Sequence, residues 1–344
     1  MASHVRKRRV LAIMHESLVP PPDSKSYTFE ERQEFRTEDD VVTGLRELGH
    51  EVQTLGLSDS LTPLRQAIRE WQPHVVFNLL EEFHGEVVYD YHLVAYLELK
   101  RVAYTGCNPR GLLIARDKAL SKKILHYHRV KVPRFHTFVR GRKVKRPKHL
   151  DFPLIVKSLI HEASYGIAQA SVVHDDEALG ERVRFIHTKI GTDAIVEQFI
   201  DGREVYAAVL GNQRLKVFPT WELNLSGLPD DAVKIATRKV KWDLAYQARH
   251  KVTIAEAKGL SDELQAHIER TSKRICRCLG LDGYVRIDYR LTPDGQLYFL
   301  EANPNPDVAY EEEFSSAAEA AGLKYTDLLQ RIISLGMSRG LGKV

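Results

Sequence analysis

Residues 283–306 read GYVRIDYRLTPDGQLYFLEANPNP, and the rest of the chain is interpreted outward from them. Two alternating segments flank Pro293-Asp294-Gly295, the signal for an antiparallel hairpin. With 293–296 taken as a four-residue loop, Thr292 faces Leu297, Asp288 faces Glu301 and Arg286 faces Asn303. Alternate side chains of a strand share a face. Two carboxylates, an amide and a guanidinium therefore converge on one side, and Ile287, Tyr289, Leu300 and Ala302 are left for a core. Hard carboxylate and amide oxygens suit Mg²⁺ bridging substrate phosphates. A guanidinium beside them suits charge that develops on oxygen. Taken alone, the same residues read equally well as a cross-strand salt-bridge cluster on a solvated face.

The chain that carries this hairpin has 344 residues, more than one simple core accommodates, so two or three domains are expected. A hydrophobic content of 43% with 28% charged residues fits a globular protein. The net charge of +4 is too small to argue for nucleic acid. The basic runs Arg6-Lys7-Arg8-Arg9 and 140–148 lack interleaved aromatics and read as solvated segments. Three cysteines, two of them diverging on a helical pattern at Cys276 and Cys278, suggest neither a disulfide framework nor a zinc site. A reducing, cytoplasmic setting is expected. No run is long enough for a membrane span, and 10–14 is too short for a signal-peptide core.

Strands at 10–14, 50–55 and 74–77 alternate with helices at 37–48, 61–70 and 89–99, which implies an open, mostly parallel α/β sheet. Its ligand crevice would lie at the loops around His15-Glu16 and 78–85. Beyond Gly106 the pattern becomes α+β. A helix is expected at 117–127 and a strand at 153–157. The segments 194–200 and 203–210 read as antiparallel strands about Asp201-Gly202, and helices are expected at 261–279 and 317–335. Residues 215–241 lack clear periodicity, as functional or mobile segments do. Lys157 ends an apolar strand, where an unpaired ammonium is costly, so a functional anionic partner is expected. Lys118, beside Lys122 and Lys123, reads as solvated surface on its own residues.

In order, these elements resemble the ATP-grasp superfamily, most closely its D-alanine–D-alanine ligase branch, over nearly the whole chain. The resemblance is strongest at 153–168, 195–211 and 283–306. It implies an ATP-grasp fold, α/β plus α+β, with an N-terminal α/β domain at 1–112 and grasp subdomains at 113–207 and 208–344. It implies that Lys118 and Lys157 contact ATP phosphates, and that the loop 161–166, with Ser164 and Gly166, covers them. Glu197, Gln198, Phe199 and Ile200 would hold the adenine edge, and Glu204 the ribose hydroxyls. Asp288, Glu301 and Asn303 would hold two Mg²⁺ or Mn²⁺ ions, and Arg286 would stabilise the acyl-phosphate and tetrahedral states. The four hairpin residues reached from register are the same four. The implied activity is ATP-dependent ligation of a carboxylate to an amine, on amino-acid or peptide substrates. Neither nucleic acid nor membrane is implied as a partner, and a homodimer is expected only because dimers are common in that family. The alternatives are a silent ATP-binding sensor module and, ranked last, a carboxylase-type enzyme.

Three departures bear on substrate. After the first strand, where the branch carries a glycine-rich segment with an acid, this chain has His15-Glu16-Ser17-Leu18, so Glu16 is the substitute. The glycine expected after Asn303-Pro304-Asn305-Pro306 is Asp307. A Ser-Leu pair that binds a carboxylate falls, without gaps, at Glu312-Glu313. Acids repel a carboxylate, so Asp307, Glu311, Glu312 and Glu313 are expected to favour a cationic group. Ala163 and Ser164 stand where the branch shows two serines.

Overall fold

A computed structural model describes residues 6–22, 27–161 and 164–339. Three sheets organise them. The first contains β1 (Arg9–His15), β2 (Glu51–Leu57) and β3 (Val75–Asn78), all parallel in the order β2-β1-β3. Val10 to Met14 are at most 1% exposed, as a central parallel strand covered on both faces requires. The helices Arg36–Glu47, Thr62–Trp71 and Asp90–Leu99 lie between and after these strands.

The second sheet contains β4 (Phe135–Phe138), β5 (Leu154–Ser158), β6 (Val172–Val173) and β7 (Ala194–Gln198), antiparallel in the order β4-β7-β5-β6. The third contains β8 (Arg203–Leu210), β9 (Lys216–Val217), β10 (Trp221–Asn224), β11 (Thr253–Glu256), β12 (Tyr284–Leu291) and β13 (Leu297–Pro304). Its order is β11-β10-β8-β12-β13, with β9 on β8.

Two expectations change. β7 and β8 do not pair with each other. Gly202, at φ +144°, lies so close to β12 that an added Cβ would sit 2.2 Å from the Leu291 carbonyl oxygen. Only glycine adopts this backbone without penalty, and there the chain leaves one sheet and enters the next. The single helix expected at 317–335 is two, Glu313–Ala320 and Tyr325–Met337, with Gly322 between them. β4, β6, β9, β10 and β11 and the helices Pro109–Arg116, Asp176–Phe185, Arg238–Trp242 and Leu244–His250 are among the elements not read from the sequence.

The hydrophobic cores are shared unequally. Ile13, Leu57 and Val76 of the first sheet pack in one cluster with Val209, Ile287, Tyr289 and Phe299 of the third. Val10 and Phe77 join Ala208, Tyr284 and Phe314 in another. The second sheet keeps its own core of Phe138, Leu154, Val156, Val183 and Val196, and a small cluster of Ile155, Val172 and Ile235 connects it to the segment after β10.

Candidate functional site

The hairpin β12–β13 sets the site. Asp288 pairs with Glu301, Ile287 with Ala302 and Arg286 with Asn303, the register read from the sequence. At the turn, however, Leu291 pairs with Leu297, one residue out of the expected register. A β-bulge between the two registers, which leaves Leu300 unpaired, reconciles them. Without it Glu301 would oppose Ile287 and turn to the core, since a one-residue slip reverses every face. Ile287, Tyr289 and Ala302 are buried in the core as expected, but Leu300 faces the cleft instead.

That cleft, of about 750 Å³ and open to solvent, runs between the second and third sheets. Lys118, Lys157, Ser164, Glu197, Gln198, Phe199, Ile200, Glu204, Asp288 and Glu301 all line it. Gly166 does not, but it shapes the covering loop. It has φ +74°, and an added Cβ would meet Ile190 at 2.9 Å. Ser164, at φ +58°, accepts the Ile167 N–H on its carbonyl at 2.9 Å. Glu162 and Ala163 of this loop lie outside the described residues.

Lysines dominate one wall. Asp117 caps the helix Lys118–Tyr127 by accepting from the N–H groups of Ala119 and Leu120, and this helix places Lys118 on the cleft and Lys122 buried behind its wall. Lys118 donates to the His161 carbonyl at 2.7 Å and lies 3.4 Å from Glu301. Lys122, one turn on and 0% exposed, pairs with Glu197 at 2.8 Å and donates to the Leu300 carbonyl. Glu197, equally buried, holds Lys157 on its other oxygen at 3.0 Å. Lys157 is thus paired by a protein carboxylate, Glu197, which itself relieves the cost of burying the ammonium. Burial alone would raise the Glu197 pKa, but Lys122 and Lys157 outweigh it and bring it down to about 2.

On the hairpin, Arg286 grips Asp288 with two N–H groups at 2.8 and 3.0 Å and Glu313 with a third at 2.6 Å. Its guanidinium stacks 5.0 Å from the Tyr206 ring centroid. Burial lifts Asp288 to about 6 despite Arg286, with Glu301 adding repulsion. Glu301 goes the other way, to about 2, because Lys118, Lys157 and Lys241 overcome its burial. Two facing carboxylates with opposite shifts are a common mark of a functional site. Glu204 pairs with Arg290 at 3.0 Å and accepts from the Tyr206 hydroxyl at 3.1 Å.

No group of three His, Cys, Asp or Glu able to hold a metal occurs among the described residues. The donor set is two carboxylates and the Asn303 amide, whose buried nitrogen has no hydrogen-bond partner. Oxygen donors this hard fit Mg²⁺ held jointly with phosphate oxygens.

The substrate-side residues are more scattered. Glu16 is exposed in a short 3₁₀ turn and does not line the cleft. Asp307 accepts from the Thr37 hydroxyl at 2.8 Å, and Glu312 pairs with Arg36 at 3.1 Å. Glu312 and Glu313 each hold a guanidinium, so the acidic run is partly neutralised. Glu38, 6% exposed at the start of Arg36–Glu47, adds a carboxylate that burial, with Glu81 and Asp307, pushes up to about 7.

Sequence reading gave no site role to Lys122, Arg290 and Lys241. Lys122 stands four residues after Lys118, hence on the same helix face. Arg290 stands two after Asp288, hence on the same strand face. Those spacings were usable signals. Lys241 has none. Glu313 was read only as part of the acidic run, and the cation it holds is Arg286 of the hairpin. All three cysteines are free, and no helix among the described residues is long and apolar enough to cross a membrane.

Comparison with known proteins agrees with this geometry. The profile of the family described as D-ala D-ala ligase C-terminus matches residues 124–334. An uncharacterized protein, y4sG, of Sinorhizobium fredii is 33% identical over 315 residues, 89% of each chain. A D-alanine–D-alanine ligase of Desulfotalea psychrophila is 31% identical over 78% of this chain and 79% of its own. Among solved structures, the D-alanine–D-alanine ligase of Bacillus anthracis complexed with ATP superposes with a TM-score of 0.74. That match covers 96% of this chain and 97% of the other, at 20% identity, a likeness of fold.

Proposed function

Because the chain belongs to the D-alanine–D-alanine ligase family, ATP-grasp ligases that form carbon–nitrogen bonds, we propose that it joins the carboxylate of one amino acid or peptide to the amine of another through an acyl phosphate. A carboxylate is a poor electrophile. Transfer of the ATP γ-phosphoryl group to it creates a leaving group, and attack of the amine on the acyl carbon then expels phosphate.

In this reading Lys118 and Lys157 neutralise the phosphates, and the loop ending at Gly166 excludes water from the acyl phosphate. Gln198 to Ile200 line the base and Glu204 takes the ribose hydroxyls. Asp288, Glu301 and Asn303 hold Mg²⁺, which supplies charge stabilisation to the phosphoryl group. Arg286 meets the charge developing on the acyl oxygens. The observation that carries the reading is the Asp288–Glu301 pair facing a lysine-walled cleft. We also propose the three-unit division, with the second boundary moved from 207 to Asp201-Gly202, since a cut at 207 divides β8.

The neighbouring acids Glu38, Glu81 and Asp307 favour a substrate that brings an exposed amine, while Glu16 stays outside the cleft and Glu312 is held by Arg36, and D-alanine need not be that substrate. A screen of Mg²⁺-dependent phosphate release across D- and L-amino acids and short peptides tests both statements. Turnover on D-alanine alone would reject the substrate reading. Absence of release with every acceptor, alongside intact nucleotide binding, would favour the silent sensor.

A further inference from the structure

We propose that Lys122 is a positioning residue that couples the nucleotide edge to the metal hairpin. The inference rests on the ligase reading above. One fully buried ammonium reaches two elements from different sheets, Glu197 on β7 at 2.8 Å and the Leu300 carbonyl on β13. Its third neighbour is the Phe299 ring, 5.5 Å away at the centroid. Leu300 is the residue that the bulge leaves out of the β12–β13 ladder, and β13 is the edge strand of its sheet. No further strand is there to accept its outward groups. The neighbouring Phe299 N–H bonds the Lys131 carbonyl at 2.9 Å, and Lys122 takes the Leu300 carbonyl.

The consequence follows from register. The bulge alone makes Glu301 oppose Asp288 rather than Ile287. By holding the bulged carbonyl, Lys122 fixes the direction of Glu301, which it never touches within ion-pair distance. By holding Glu197, it also fixes the partner of Lys157. A buried ammonium is costly even when paired, and an apolar side chain would pack there at least as well. Lys122 therefore supplies arrangement rather than stability, and the loss expected on removing it is metal affinity.

The test compares Glu197→Gln with the double variant Lys122→Met/Glu197→Gln; both lose the partner that Glu197 gives Lys157, so the difference between them isolates Lys122. Calorimetric titration of a non-hydrolysable ATP analogue at a series of Mg²⁺ concentrations gives the Mg²⁺ level for half-maximal binding. That level should rise at least ~10-fold in the double variant, the effect typical of groups that orient metal ligands, while binding recovers at saturating Mg²⁺. An unchanged Mg²⁺ requirement, with both variants folded, would overturn the inference and leave the ligase reading standing. Wild-type protein that binds no nucleotide with Mg²⁺ would overturn both. If the double variant does not fold, Lys122→Gln, whose shorter side chain falls short of Leu300, is read against wild type by the same criterion.

Discussion

The second and third sheets line one cleft but are attached to the molecule by different forces. The third shares two apolar cores with the first, so those two behave as a welded block. The second has a self-contained core. Besides the small Ile155–Val172–Ile235 cluster, it meets the block through polar contacts, among them the buried charges of Lys122 on Glu197 and Lys118 on the carbonyl of His161. Apolar contact is insensitive to small rotations, whereas buried charges lose much when their partners separate. The second sheet is therefore the part expected to open, and in the function proposed above the nucleotide phosphates would meet the same lysines that tie it to the block.

The largest expected effect tests the independence of that sheet. Leu154→Ala leaves a cavity in its core at a cost of about 2–5 kcal/mol. Hydrogen exchange should accelerate across 135–198 and remain slow in β1, β8 and β12. Uniform acceleration would mean the two regions unfold as one. Next, Glu301→Gln acts on the welded side of the cleft. Mg²⁺-dependent ADP formation should fall by about 10²–10³.

A third effect lies at the seam of the welded block. Glu38 has its pKa raised, chiefly by burial, from 4.5 to about 7. A raised acid binds more protons folded than unfolded, so the stability it contributes is present below about pH 4.5 and is lost as pH climbs through about 7. The loss amounts to at most about 3 kcal/mol. Denaturant midpoints at pH 5 and 8 should differ by more in wild type than in Glu38→Gln, and equal differences would remove Glu38 as the cause. The smallest effect serves as a contrast. Arg203 pairs with Glu222 while about a third exposed, so Arg203→Gln should cost less than about 1 kcal/mol, measured by the same titration.

The hairpin chemistry was legible because period-two alternation and a Pro-Asp-Gly turn fix which side chains meet. It was legible even though the turn register was misread, since the bulge compensates by one residue. The first sheet was equally plain: β1 and β3 are buried apolar runs, and they and β2 are spaced by helices. Lys122 was legible only as a neighbour of Lys118 on one helix face, because a solvated and a buried lysine read alike until the partner strand is known. The switch between β7 and β8 was hidden for a similar reason: Asp201-Gly202 looks like a hairpin turn, and only the closeness of Leu291 makes it a crossing.

The unpaired residue at 300 divides the ribbon into two lengths that need not agree. Its tip, Thr292 to Gln296, is tied by the Thr292 N–H and hydroxyl to the Gln296 carbonyl, and the acidic end keeps its own alignment. A foreign turn grafted over 293–295 would therefore have its misfit absorbed before it reached the carboxylates. That makes the tip a place to carry a fluorophore or an affinity label on a working enzyme.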